Sequence, residues 1–150
     1  MIPNPCSIVS AFVPAGQLSV DILGDSLSSE TKLIEELTAI MRRQRAAVVI
    51  DDLQGVDDTV FATHRVLVTL SEARRRRHVI NRMLGEREDI SVNALEDMLG
   101  PRMTERLAAL RDRLQDAART LSREVATNRQ MLRQTVANGD ATARARSGAL

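Results

Sequence analysis

Aromatic side chains are almost missing from this chain: Trp and Tyr do not occur, and Phe12 and Phe61 are the two aromatics in 150 residues. Leu, Val, Ile, Ala and Met must therefore fill any core, which suits helix seams better than sheets. Base-stacking platforms for nucleic acid are lacking as well. Cysteine is equally scarce, and Cys6 standing alone excludes an internal disulfide and a Cys-rich zinc site, as befits a reducing cytoplasm. Pro3, Pro5 and Pro14 interrupt the apolar start, which also lacks a basic region, so it reads poorly as a secretory signal or membrane span. Neither sign of charge prevails: 21 basic residues face 20 acidic ones, and so balanced a surface casts no strong field toward nucleic acid or lipid.

What is present is helical. With 43% apolar residues, the chain can bury one core of ordinary domain size. Residues 1–25 read as an irregular leader. Turn and cap chemistry at Gly24 to Ser29, with Glu30 in a first turn, predicts a helix start there. Leu33, Leu37, Ile40, Ala47 and Ile50 recur at helical spacing, widened by Ile34, Met41 and Val48. Poor helix formers and Gly55 predict a break over Asp51–Asp58. A second helix follows, with Val56, Val60, Thr63, Leu67, Leu70, Ala73, Arg77, Ile80 and Leu84 as its seam and Gly85 closing it. A charged loop over residues 86–90 precedes a short helix capped by Ser91, and Gly100-Pro101 starts the last helix. There Leu107, Leu110, Leu114, Ala117, Leu121, Glu124, Asn128, Met131 and Thr135 keep heptad spacing. Residues 139–150 lack a period and read as a disordered tail, leaving 26–138 as the helical domain.

Catalytic chemistry finds no foothold. His64 and His78 are not at metal-ligand spacing, the aspartates at 51, 52, 57 and 58 come without a phosphate-cradling glycine loop, and no serine sits in a nucleophile-elbow motif. We expect no catalytic residue, metal or cofactor. The run Arg74 to Arg77 invites a phosphate-binding reading, but four successive helical residues fan about 300° around the axis and cannot form one basic face.

The helix pattern itself carries a resemblance. Leu33-Ile34-Glu35-Glu36-Leu37, then Gln44 to Leu53, then a long charged helix ending Ile80-Asn81-Arg82-Met83-Leu84-Gly85, resemble the FlgN-like flagellar export chaperone family. The short helix Ala94 to Leu99, the segment Leu107 to Leu114, and the closing Ala126 to Gln134 with its Asn128-Arg129 pair continue the likeness over about residues 30–138. It implies a cytoplasmic chaperone that holds flagellar hook-associated proteins before type III export, using its C-terminal helix. Carried onto this chain, the partner-binding residues are Leu121, Val125, Asn128, Met131, Leu132, Thr135 and Val136. Some members dock on the export apparatus through a tyrosine in this segment, and this chain has none.

Read from the residues alone, the stripe from Leu121 to Val136 is wider than one coiled-coil seam needs. It can pack on the protein's own first helix or receive an amphipathic helix of a partner, and Asn128 can serve to fix register. The expected fold is all-α, an elongated antiparallel bundle of three long helices and one short helix with left-handed coiled-coil-like packing. The expected state is a monomer or weak dimer, without nucleic acid or stable membrane insertion. A homodimeric structural coiled coil and an arginine-mediated nucleic-acid binder are the alternatives.

Overall fold

The computed structural model describes residues 15–85 and 91–149, with side chains from residue 20 onward. It is all-α: helices α1 (Ala15–Val49), α2 (Leu53–Gly85), α3 (Leu95–Leu99) and α4 (Glu105–Gly148), with 3₁₀ turns Val92–Ala94 and Gly100–Arg102 on either side of α3. Among the described residues there is no strand. Helix α1 is the spine. Antiparallel to it runs α2, as the Glu30–Arg77 and Ala47–Gly55 contacts show, whereas α4 runs parallel, with Asp25 beside Arg106, Glu35 beside Arg113 and Met41 beside Asn128.

Helix α1 does not wait for Ser26. The expected leader is helical from Ala15 on, because Val20, Leu23 and Leu27 keep the helical period and are 4%, 0% and 0% exposed. Burial of that order outweighs the few tenths of a kcal/mol per residue by which serine disfavours a helix. The hydroxyls of Ser29 and Thr31 turn back to the carbonyls of Asp25 and Leu27, and Gly24 sits against Leu107 and Leu110 of α4. Glu30, expected in a first turn, is mid-helix and buried. Residues 1–14 of the leader lie outside the described residues.

The break between α1 and α2 is tighter than Asp51–Asp58. It occupies residues 50–52, where Asp51 takes a left-handed φ of 54° and Asp52 N–H donates to Ala47 O at 2.9 Å. Asp52 Oδ1 then accepts from Gly55 N–H at 2.9 Å and caps α2. A Cβ at position 55 would stand 2.8 Å from Asp52 Cγ and 3.1 Å from Ala47 Cβ, so the glycine serves this cap and not a break.

Two more starts differ from expectation. Ser91 makes no side-chain cap and only its carbonyl accepts, from Ala94 N–H at 2.9 Å. Pro101 lies in a 3₁₀ turn after Gly100, whose φ is +51°, and α4 is capped by Thr104, whose hydroxyl accepts from Leu107 N–H at 3.2 Å. At the other end α4 does not stop near residue 138. Its continuation, where Ala141, Ala143, Arg144, Ala145 and Arg146 alternate with poorer helix formers, stays helical to Gly148, and every side chain from Leu132 to Ala149 is exposed. Forty-four residues give α4 a length of about 66 Å. The expected loop over residues 86–90 is outside the described residues.

Helix α2 keeps its expected seam in its second half, at Leu70, Ala73, Arg77 and Leu84, but turns by one residue from it in the first half. Thr59, Val66, Leu70, Ala73, Arg77, Asn81 and Leu84 face inward, while Val60 and Leu67 are 54% and 48% exposed. The first half of α2 carries two stripes of seven-residue period side by side, and α1 selects the one that offers small Thr59 and Ala73 for close approach. Of the four arginines, Arg77 alone turns inward, 2.6 Å from Glu30, as the fan geometry requires.

Candidate functional site

Helices α2 and α4 each pack along α1 but scarcely approach each other. At one end α3 fills the gap between them, with Leu95 and Leu99 1% and 2% exposed. Arg102 Nη2 donates to Leu84 O at 3.0 Å on the α2 side, and Arg111 Nη1 meets Glu96 Oε2 at 3.2 Å on the α4 side. Beyond α3 the gap stays open as a trough of about 470 Å³, with Ile34 of α1 at its floor and Arg74 on its α2 wall. Its α4 wall consists of Ala118, Leu121, Ser122, Val125, Ala126 and Arg129.

The helical repeat extends both walls. Residues seven apart drift by only about 20°, so Leu132 follows Val125 and Val136 follows Arg129 on the α4 side. Leu67 and Val60 follow Arg74 on the α2 side. These four apolar side chains are 38%, 64%, 48% and 54% exposed for Leu132, Val136, Leu67 and Val60. Exposed apolar side chains thus continue the line of both walls beyond the trough.

The expected binding residues divide. Leu121 and Val125 are half-buried against the core and form the trough wall, and Leu132 and Val136 continue it. Asn128 does not face the trough. It is 3% exposed, and its Nδ2 donates to Met41 O at 2.7 Å and to Gln44 Oε1 at 3.2 Å, while its Oδ1 accepts from Arg45 Nη1 at 3.1 Å. Thr135 is exposed and its hydroxyl returns to Met131 O at 3.0 Å. Met131 is half-buried, and the helical angle places it on the flank away from the trough.

Polar contacts lock the rest of the α1–α4 seam. Glu124 lies 3.2 Å from Arg42 Nε and 2.6 Å from Arg45 Nη1. Bonding from Arg45 first, and Arg42 next, holds its carboxyl below the usual carboxylate range. The opposite groove of that seam is charged and paired, Arg113 meeting Glu35 at 3.1 Å. By contrast, Arg74 and Arg129 form no hydrogen bond or ion pair among the described residues, and no acidic side chain lines the trough.

The sequence reading missed Ile34, Arg74, Arg129 and the exposure of Val60 and Leu67. The signal was there in the second stripe of α2, Val60–Leu67–Arg74, which periodicity alone could not distinguish from the inward one. Among the described residues no group of three His, Cys, Asp or Glu side chains converges, and no helix is long and apolar enough to cross a membrane.

Comparison with protein-family models matches residues 19–138 to the family described as FlgN protein. No curated protein and no solved structure gives a significant match.

Proposed function

This chain belongs to the FlgN family, and from that premise we propose that it is a cytoplasmic flagellar export chaperone that binds hook-associated proteins before their secretion. It acts by binding and not by catalysis. The observation that carries the proposal is the family match, which spans α1 to α4 and so includes both walls of the trough. The geometry supports it, because the C-terminal half of α4 offers Leu121, Val125, Leu132 and Val136 along an open gap. Helices of a partner commonly seat in such gaps by an apolar face repeating every three to four residues.

Asn128 takes no part in binding and sets the register of α4 on α1. Met131 and Thr135 are outside the contact. A chaperone of this kind exposes its apolar trough when free and is a monomer, or a weak dimer that partner displaces. Co-expression with each hook-associated protein encoded by the same genome, followed by size exclusion with light scattering, tests the proposal. A stable complex with at least one of them is expected. A tight dimer that persists at saturating partner, with no heterocomplex, would favour the structural coiled coil instead.

A further inference from the structure

We infer that the occupant of the trough is an amphipathic helix with acidic residues along both flanks, seated end to end with α3 and gripped by α2 as well as α4. This rests on the chaperone reading and specifies what the partner must present.

The trough continues a socket that is already filled at one end. Along α4, Arg111, Ala118, Val125 and Leu132 are seven apart, as are Gln115, Ser122, Arg129 and Val136. The first member of each series holds the α3 segment, Arg111 through Glu96 and Gln115 through Asn93. The later members face the open trough. Along α2 the series Arg74, Leu67, Val60 runs the same way, and Leu67 and Val60 are about half exposed. Beyond α3 both walls are therefore open. What fills the first stretch is a helix turn bearing Leu95, Met98 and Leu99, so the same cross-section fits a second apolar helix. From Ala118 to Val136 the wall is about 27 Å long, room for a helix of about five turns.

Charge sets the flanks. Arg74 on one wall and Arg129 on the other are the charged residues of the trough, and both lack an acidic partner among the described residues. Arg133 extends the α4 rim, seven residues after Ala126. An occupant with Asp or Glu beside its apolar ridge would pair with both rims. A second copy of this chain suits the trough poorly, since the exposed part of α4 is itself basic, with Arg129, Arg133, Arg144 and Arg146 against Asp140.

The test uses the full chain and a hook-associated protein of the same genome, with affinity measured by calorimetry at two salt concentrations. Arg74→Glu and Arg129→Glu should each weaken binding by about tenfold or more, and the wild-type affinity should fall with salt. Leu67→Asp should weaken it as much. Arg75→Glu, the same charge change on an exposed residue outside the trough, should stay within about twofold of wild type. If Leu132→Asp abolishes binding while Arg74→Glu and Leu67→Asp leave it intact, the site is on α4 alone and the inference fails while the chaperone reading stands. Absence of binding by the wild-type chain to every hook-associated protein sinks both. Self-association abolished by Leu67→Asp would make a second copy the occupant and overturn the inference as well.

Discussion

Asn128 Nδ2 donates to the Met41 carbonyl at 2.7 Å across the α1–α4 seam, from a side chain that is 3% exposed. An amide placed in an apolar heptad fixes one register, because any slip leaves it buried without partners. Arg45 and Gln44 complete its bonding. Asn128→Ala should therefore lower stability by about 1–3 kcal/mol, since it also strips Arg45 of an acceptor. Affinity of the folded protein for its partner should stay as it was. Urea melts alongside calorimetry check both halves. A lost affinity with unchanged stability would return Asn128 to the binding face.

Glu30 and Arg77 form the one inward ion pair between α1 and α2 in the described residues, 2.6 Å apart, with side chains 2% and 9% exposed. Arg77 Nη1 and both polar atoms of the Asn81 amide have no hydrogen-bond partner there. Such a polar layer is costly, and removing one charge strands the other. Glu30→Ala should lose about 3–5 kcal/mol, whereas Glu30→Leu combined with Arg77→Leu should recover most or all of it. Thermal melts of the three proteins decide the matter: a double variant no better than Glu30→Ala would show the pair to be indispensable.

Glu124 links stability to pH. Arg45 and Arg42 depress its folded-state carboxyl, so its unfolded value, about 4.3, is the higher of the two. The stabilisation is complete above the unfolded value and is lost as pH falls through the depressed folded one. Wild type should lose part of its urea midpoint between pH 6 and pH 3, and Glu124→Gln should lose less over that range while starting lower at pH 6. Equal pH slopes for the two proteins would assign the acid sensitivity elsewhere.

Much of the inward faces of α1 and α4 could be read from the residues because one period dominates each: Leu37, Ile40 and Ala47 of α1 and Leu107, Leu114, Ala117 and Asn128 of α4 are buried, whereas Ile50 and Thr135, expected on the same seams, are exposed. In α2 two periods compete. Val60 and Leu67 looked like the seam, yet Thr59 and Val66 hold it, and only the approach of α1 chooses between stripes of similar strength. The start of α1 was hidden for a different reason, since Gly24 and the serines after it advertise a cap while the burial of Leu23 and Leu27 overrides them. Of the α4 wall, Leu121 and Val125 and their continuation at Leu132 and Val136 were legible, and Arg129 was not. The α2 wall was not, because a gap exists only between two helices and no spacing within one of them records it.

The end of α4 gives a separable prediction. From Gly139 to Gly148 the helix is exposed throughout, and the family match ends at residue 138. Truncation after Asn138 should change stability by less than about 0.5 kcal/mol, the usual scale for surface changes, and leave partner affinity intact. Loss of helical signal in circular dichroism should match the residues removed. A marked fall in affinity would bring the distal helix into the binding surface.

The trough and the core can be told apart by paired charges placed on each. Leu132 and Val136 are exposed on the overhanging part of α4, so Leu132→Asp with Val136→Asp leaves both carboxylates hydrated in the free protein. Folding should survive with a nearly unchanged melting temperature, and binding should fail because the complex must desolvate them. Val125 is a weaker probe, since it already packs on the core and a charge there disturbs folding as well. The contrast is Val66→Asp with Leu70→Asp, at positions 6% and 4% exposed against α1. Burying two unpaired carboxylates costs several kcal/mol, comparable to the roughly 5–15 kcal/mol that holds a domain together, so this variant should melt or fail to express. Circular dichroism melts and a pull-down with a hook-associated protein read both. Equal thermal damage in the two variants would show the distal α4 stripe to be core and would remove it from the binding surface.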